Sequence, residues 1–167
     1  MAKTIHNVVR TDNMSGTKDG SLLKSVRYFV GDKVAEIDNG MVVKFGALLP
    51  NEREIRKATV PTASTPLNEV VLVASPEYMV DERKRNLTDF TNEAGDAALG
   101  YMFHTGSTFG CTVGCFDVAP KVGDTIELMA GTTFKAVATA TASSTTVGKC
   151  IAIEGDSGIT YYVVEVA

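Results

Sequence analysis

Tryptophan is missing from this 167-residue chain, histidine occurs twice and cysteine three times. Without tryptophan, and with five Tyr and seven Phe dispersed, a sugar-stacking platform has little material. Two imidazoles, His6 and His104, leave few candidates for a general base near neutral pH. An odd number of cysteines cannot all pair within one chain, so a disulfide framework is not expected. No apolar run approaches the ~18 residues that a membrane-spanning helix needs. Residues 1–6 lead into polar sequence instead of an apolar stretch, so no secretory signal is expected. Together these shortages predict a protein made in a reducing cytoplasm, with no membrane partner.

Basic charge is also thin where it would matter for phosphate. The net charge is −4. Residues 1–85 carry 13 basic and 11 acidic groups, whereas residues 86–167 carry 3 and 9. A dense basic face supplies most of the affinity of nucleic-acid binders. Here the one tight cluster is Arg83-Lys84-Arg85, directly after Asp81-Glu82, so no nucleic-acid partner is expected.

What the chain has in plenty is Val (20) and Thr (19), against only 9 Leu. β-Branched side chains are stiff at χ1 and suit a pleated surface. Short apolar runs separated by Gly-rich turns predict a mainly β fold, a sandwich or small barrel. Residues 1–25 read as an extended, flexible N-terminal arm: either a frayed terminus or a segment that orders against a partner. Residues 26–167 read as a single β-rich domain, with 26–75 and 100–167 as candidate substructure within it.

Within it, Val26–Val30 and Lys33–Ile37 read as strands around Gly31-Asp32. Asn39-Gly40, a strong hairpin signal, leads into Met41–Phe45. The charged stretch 51–57 reads as a crossing and 59–66 as an extended connection. Val70–Ala74 reads as a strand buried on both faces. A short helical segment is expected near 80–99, limited by Gly95 and Gly100. Strands are expected again around 101–103, 110–118, 125–128, 150–153 and 160–166. The uncharged tract 136–147 is either an exposed ribbon or a flexible tip. The order apolar-Gly-Asp-polar-apolar occurs at 30–34 and again at 122–126, through duplication or through the frequency of Gly-Asp turns.

His104, Cys111, Cys115 and Cys150 could by count make a zinc site. In a regular strand, however, Cys111 and Cys115 lie ~13 Å apart. Only a tight turn at Gly114 brings the thiols together, so no metal, cofactor or catalytic residue is assigned. Residues 86–120 contain no Lys or Arg to stabilise a thiolate. The expectation is a protein that is not an enzyme.

The stretch Tyr78–Tyr101 contains a charged run followed by Leu87-Thr88-Asp89-Phe90-Thr91-Asn92-Glu93-Ala94-Gly95. It resembles a segment of small structural proteins of tailed bacteriophages. Pro120-Lys121-Val122-Gly123-Asp124 and Gly148-Lys149-Cys150-Ile151-Ala152-Ile153-Glu154-Gly155 are similar to the barrel ends of phage capsid decoration (head cement) proteins. The resemblance covers residues 26–167. It implies a virion protein on the capsid exterior that binds the major capsid protein of the same phage. It also implies a homo-oligomer, such as a trimer, that stabilises the shell without catalysis. Arg83, Lys84 and Arg85 are the candidate contacts to an acidic shell surface, although such a run is also the ordinary make-up of a solvated loop. Alternatives are a head-fibre base, a tail component, a metal- or Cys-dependent enzyme, or a binding module for carbohydrate or protein.

Overall fold

The computed structural model describes residues 5–81 and 83–167. Eleven strands among these residues make two sheets, and the helical content is confined to 3-10 turns. The mainly β reading holds.

The first sheet contains β1 (Leu23–Val30), β2 (Lys33–Val34), β3 (Val42–Leu48), β4 (Ile55–Thr59), β5 (Val70–Val73) and β6 (Ala98–Met102). Its order runs β1-β4-β3-β5-β6, and β6 pairs back onto β1, so five strands close into a barrel with β2 appended to β1. Val26, Val43, Ala58, Val71, Val73 and Ala98 belong to its buried cluster. The closure is tight: a Cβ on Gly100 would sit 2.5 Å from Val71 Cγ2.

β5 is buried on both faces, as its unbroken Val-Val-Leu-Val run predicts. Val71 and Val73 lie in the barrel cluster, while Val70 and Leu72 join the larger core shared with the second sheet. That sheet is antiparallel, in the order β7-β11-β10-β8-β9. Its strands are β7 (Thr108–Cys111), β8 (Thr125–Leu128), β9 (Phe134–Val137), β10 (Thr146–Asp156) and β11 (Ile159–Val166). Phe134 anchors the core, with the rings of Phe109 and Phe116 at 5.7 and 5.9 Å.

Unpaired sheet edges invite association, and this sheet covers both of its own. On the β9 side, Asp117 N–H donates to Phe134 O at 2.8 Å, and Asp117 Oδ1 accepts from Ala136 N–H at 2.9 Å. On the β7 side the cover is the N-terminal segment.

That segment corrects the flexible-arm reading within residues 5–25; residues 1–4 lie outside the described residues. It is extended, but it is docked. Val8 and Val9 are buried, and Arg10 and Thr112 N–H donate to Gly110 and Val8 carbonyls at 2.8 and 3.0 Å. Two adjacent valines gain more from the core than polar flanks lose by ordering. Strand β1 begins at Leu23, inside the stretch read as arm.

Two further expectations change. Asn39-Gly40 makes no hairpin: β2 pairs with β1, and β3 pairs with β4 and β5. Asn39 turns inward and is buried instead. Residues 55–59, read partly as a charged crossing, form β4, in which Arg56 and Lys57, on opposite faces, lay their cationic ends over the Phe45 and Phe29 rings. The short helical segment expected near 80–99 is present as the 3-10 turn Leu87–Asp89. The tract 136–147 is divided between the end of β9, a turn and the start of β10. Its turn is held where Thr141 N–H donates to the buried Glu127 carboxylate.

Candidate functional site

Between β5 and β6 the chain makes an excursion over residues 74–97, 24 in all. Loops beyond about 12–15 residues inside a compact fold are usually functional when they are ordered. This one is fastened at its base. Asn39 Nδ2 donates to Ser75 O and Ser75 N–H donates to Asn39 Oδ1, both at 2.9 Å. Asn92 Nδ2 donates to Ile37 O at 2.9 Å and to Asn39 Oδ1 at 3.2 Å. Ser75 Oγ accepts from Leu99 N–H at 2.9 Å. Asp89 Oδ2 accepts from the N–H groups of Arg85 and Asn86, both at 3.1 Å.

From that base, residues 76–80 run extended, with exposed Pro76, Tyr78 and Val80 alternating with half-buried Glu77 and Met79. Tyr78 is 86% exposed and Val80 is 99% exposed. Open hollows lie on both sides of this ridge. One, of about 720 Å³, is lined by Ser75, Met79, Asp81, Lys84, Asn92 and Asp96. The other, of about 340 Å³, lies against Thr11, Thr17, Glu77 and Tyr101.

Arg83, Lys84 and Arg85, the residues singled out in the sequence, sit at the ridge's end and are engaged there. Arg83 Nη2 lies 2.8 Å from Asp81 Oδ2, and Lys84 Nζ lies 3.7 Å from Glu93 Oε1. Hydrogen bonds from the Arg83 side chain and N–H hold the Asp81 carboxyl at about 2. Residues 76–97 contain three basic and six acidic side chains, a net −3, so the loop as a whole is not a cationic patch. The sequence reading missed Tyr78 and Val80 because alternation in a stretch of mixed polarity resembles any half-buried strand. Strand-like exposure without a strand partner is visible only in three dimensions.

The thiols are placed differently from the strand estimate. The 3-10 turn Val113–Cys115 folds Cys115 back toward Cys111, and Gly40 packs against both. Both are buried, and burial, followed by the hydrogen bond with Cys115, pushes the Cys111 thiol well up. Cys150 is likewise raised by burial. Dry, protonated thiols are poor nucleophiles. His104 is exposed, with its Nδ1 3.0 Å from Thr105 O. His6 Nδ1 lies 2.7 Å from Asp38 Oδ1. Among the described residues, no three His, Cys, Asp or Glu side chains converge to hold a metal ion, and no helix is long and apolar enough to cross a membrane.

Asp81 is held ionised, and Glu77, on the other face of the ridge, is raised by burial. The arrangement offers a shaped apolar ridge with charged flanks, which is suited to surface contact. No family model, curated protein or solved structure matches this chain.

Proposed function

We propose that this protein is a structural component of a tailed-bacteriophage head. In this reading it attaches to the capsid exterior through the major capsid protein, reinforces the shell as a homo-oligomer and catalyses nothing. The observation that carries the reading is the ridge. Tyr78 and Val80 stand almost fully in solvent on a long loop that buried amides pin to the barrel. Side chains so placed add nothing to the fold and are available to a partner, where aromatic anchors dominate binding energy. The ridge falls at the start of the stretch, Tyr78–Tyr101, that resembles phage structural proteins. Many copies on a lattice make weak single contacts sufficient.

The test is to mix purified protein with undecorated shells and image them by electron microscopy. Regular extra density on the shell is the expected result, and bare shells at saturating protein would reject the reading. Mass spectrometry of virions separates a cement role, with many copies per particle, from a fibre or tail role with few.

A further inference from the structure

Residues 6–15 form a strip that grips the edge of the second sheet, bonds to Asp38 and Thr88, and is linked covalently to β1 through residues 16–22. Val8 and Val9 are buried in the grip. Ser15 N–H donates to Thr108 O at 3.0 Å, and at the far end Asn7 N–H donates to Asp38 Oδ2 at 3.0 Å. Despite this, among the described residues the strip makes one β-bridge, Val9 to Cys111, and extends no regular ladder.

The connecting residues 16–22 are of a different kind. None of them is buried. Their turn is tied by local bonds, Asp19 N–H to Gly16 O and Leu22 N–H to Asp19 O, both 3.1 Å. Gly16 has φ +79°, a left-handed conformation that glycine leaves and re-enters without steric cost. Such a segment opens without disturbing either sheet.

We infer that the strip exchanges between copies, residues 6–15 of one chain docking on the β7 edge of a second copy, and the reverse. The partner is specified by identity: a second copy offers the same seat, so every bond lost within one chain is remade between two. Fully extended, the seven connecting residues reach about 24 Å. Within one chain the strip is tethered at an effective concentration of about 1 mM. Exchange is therefore rare in dilute solution and substantial wherever copies crowd together. The inference does not rest on the phage reading, and its test needs no capsid.

Asn7 and Gly114 provide the probe, since a Cβ on Gly114 would lie 2.1 Å from Asn7 Oδ1. In full-length protein carrying Asn7→Cys and Gly114→Cys, oxidised glutathione would close a disulfide wherever the strip is seated. At about 1 µM protein the bridge is expected within single chains. At about 1 mM, interchain covalent dimers should reach roughly half of the product, a rise of several hundredfold. The single Asn7→Cys variant should give no such rise. A second pair, Ser15→Cys with Thr108→Cys, sits at the surface where the hydroxyls are 3.1 Å apart, and guards against misfolding of the first. Intrachain bridges alone at both concentrations would overturn exchange. Equal dimer yield from Asn7→Cys alone would do the same, as would folded protein in which neither pair bridges.

Discussion

Asn39 and Ser75 pair as two peptide groups do: the side-chain amide of the first donates to the carbonyl of the second and accepts from its N–H, both at 2.9 Å. Both residues are buried, 36 positions apart, at the point where β5 gives way to the long loop. Replacing Asn39 by Ala leaves a buried N–H and a buried carbonyl without their partner. Each such group costs about 1–3 kcal/mol, so a loss of about 2–6 kcal/mol is expected in urea unfolding. Asn39→Asp keeps the acceptor, removes the donor and adds charge beside Glu77, and should be at least as damaging. Hydrogen exchange should accelerate first at the Ser75 and Leu99 amides.

Gly40 sets a second test. Its φ is +83°, and a Cβ there would fall 2.3 Å from Cys115 Sγ. Gly40→Ala combines overpacking with left-handed strain, for an expected loss of about 2–4 kcal/mol. In a Cys115→Ala background the overlap with Sγ disappears, while the 3.2 Å approach to Val9 Cγ2 and the strain of about 1–2 kcal/mol remain. A double-mutant cycle should therefore give a favourable coupling of about 1–2 kcal/mol. Additive losses would show that the thiol does not press on Gly40.

These two neighbours also show what the sequence reveals and what it hides. Val70–Val73 announces its double burial because an unbroken apolar run has no polar face to turn outward. Gly31-Asp32 does close a hairpin, β1 to β2. Asn39-Gly40 carries the same local signal and makes none, because Asn39 is more useful paired with Ser75 than exposed at a turn. Local chemistry set the backbone at Gly40, and a partner 36 residues away decided the use of it. The docked arm was hidden for a related reason. Two valines among polar residues carry no period, and their burial depends on an edge built from residues 108–112. For the candidate site, charge was legible as Arg83-Lys84-Arg85, but its compensation by Asp81 and Glu93 required distances.

The carboxyl of Glu77 is raised above its ordinary 4.5 chiefly by burial, partly offset by hydrogen bonds, one of them from Asn39. The folded chain thus holds this proton more tightly than the unfolded chain. Its contribution to stability is present below pH 4.5 and is lost as pH rises through the raised value. Glu77→Gln retains an acceptor for Asn39 and does not titrate. Its stability should decline less with rising pH above 4.5 and should exceed the wild type near neutrality, as read by urea unfolding across pH. A slope unchanged from wild type would place the coupling elsewhere.

The ridge and the basic cluster separate through their responses to salt and to truncation. Tyr78→Ser with Val80→Ser removes side chains that contact little of the fold, so stability should change by no more than about 0.5 kcal/mol. Shell occupancy, under the proposed function, should nonetheless fall by about tenfold or more, since an aromatic anchor at a contact is commonly worth over 1 kcal/mol. Neutralising Arg83, Lys84 and Arg85 should act differently. Arg83 and Lys84 already face carboxylates of their own loop, and exposed ion pairs contribute about 0–1 kcal/mol. Occupancy should then shift by less than about fivefold, and equally at low and high salt, because the pairs are compensated before any partner arrives. Strong salt-sensitive loss from the charge variant, with none from the ridge variant, would transfer the contact from Tyr78 and Val80 to the cations.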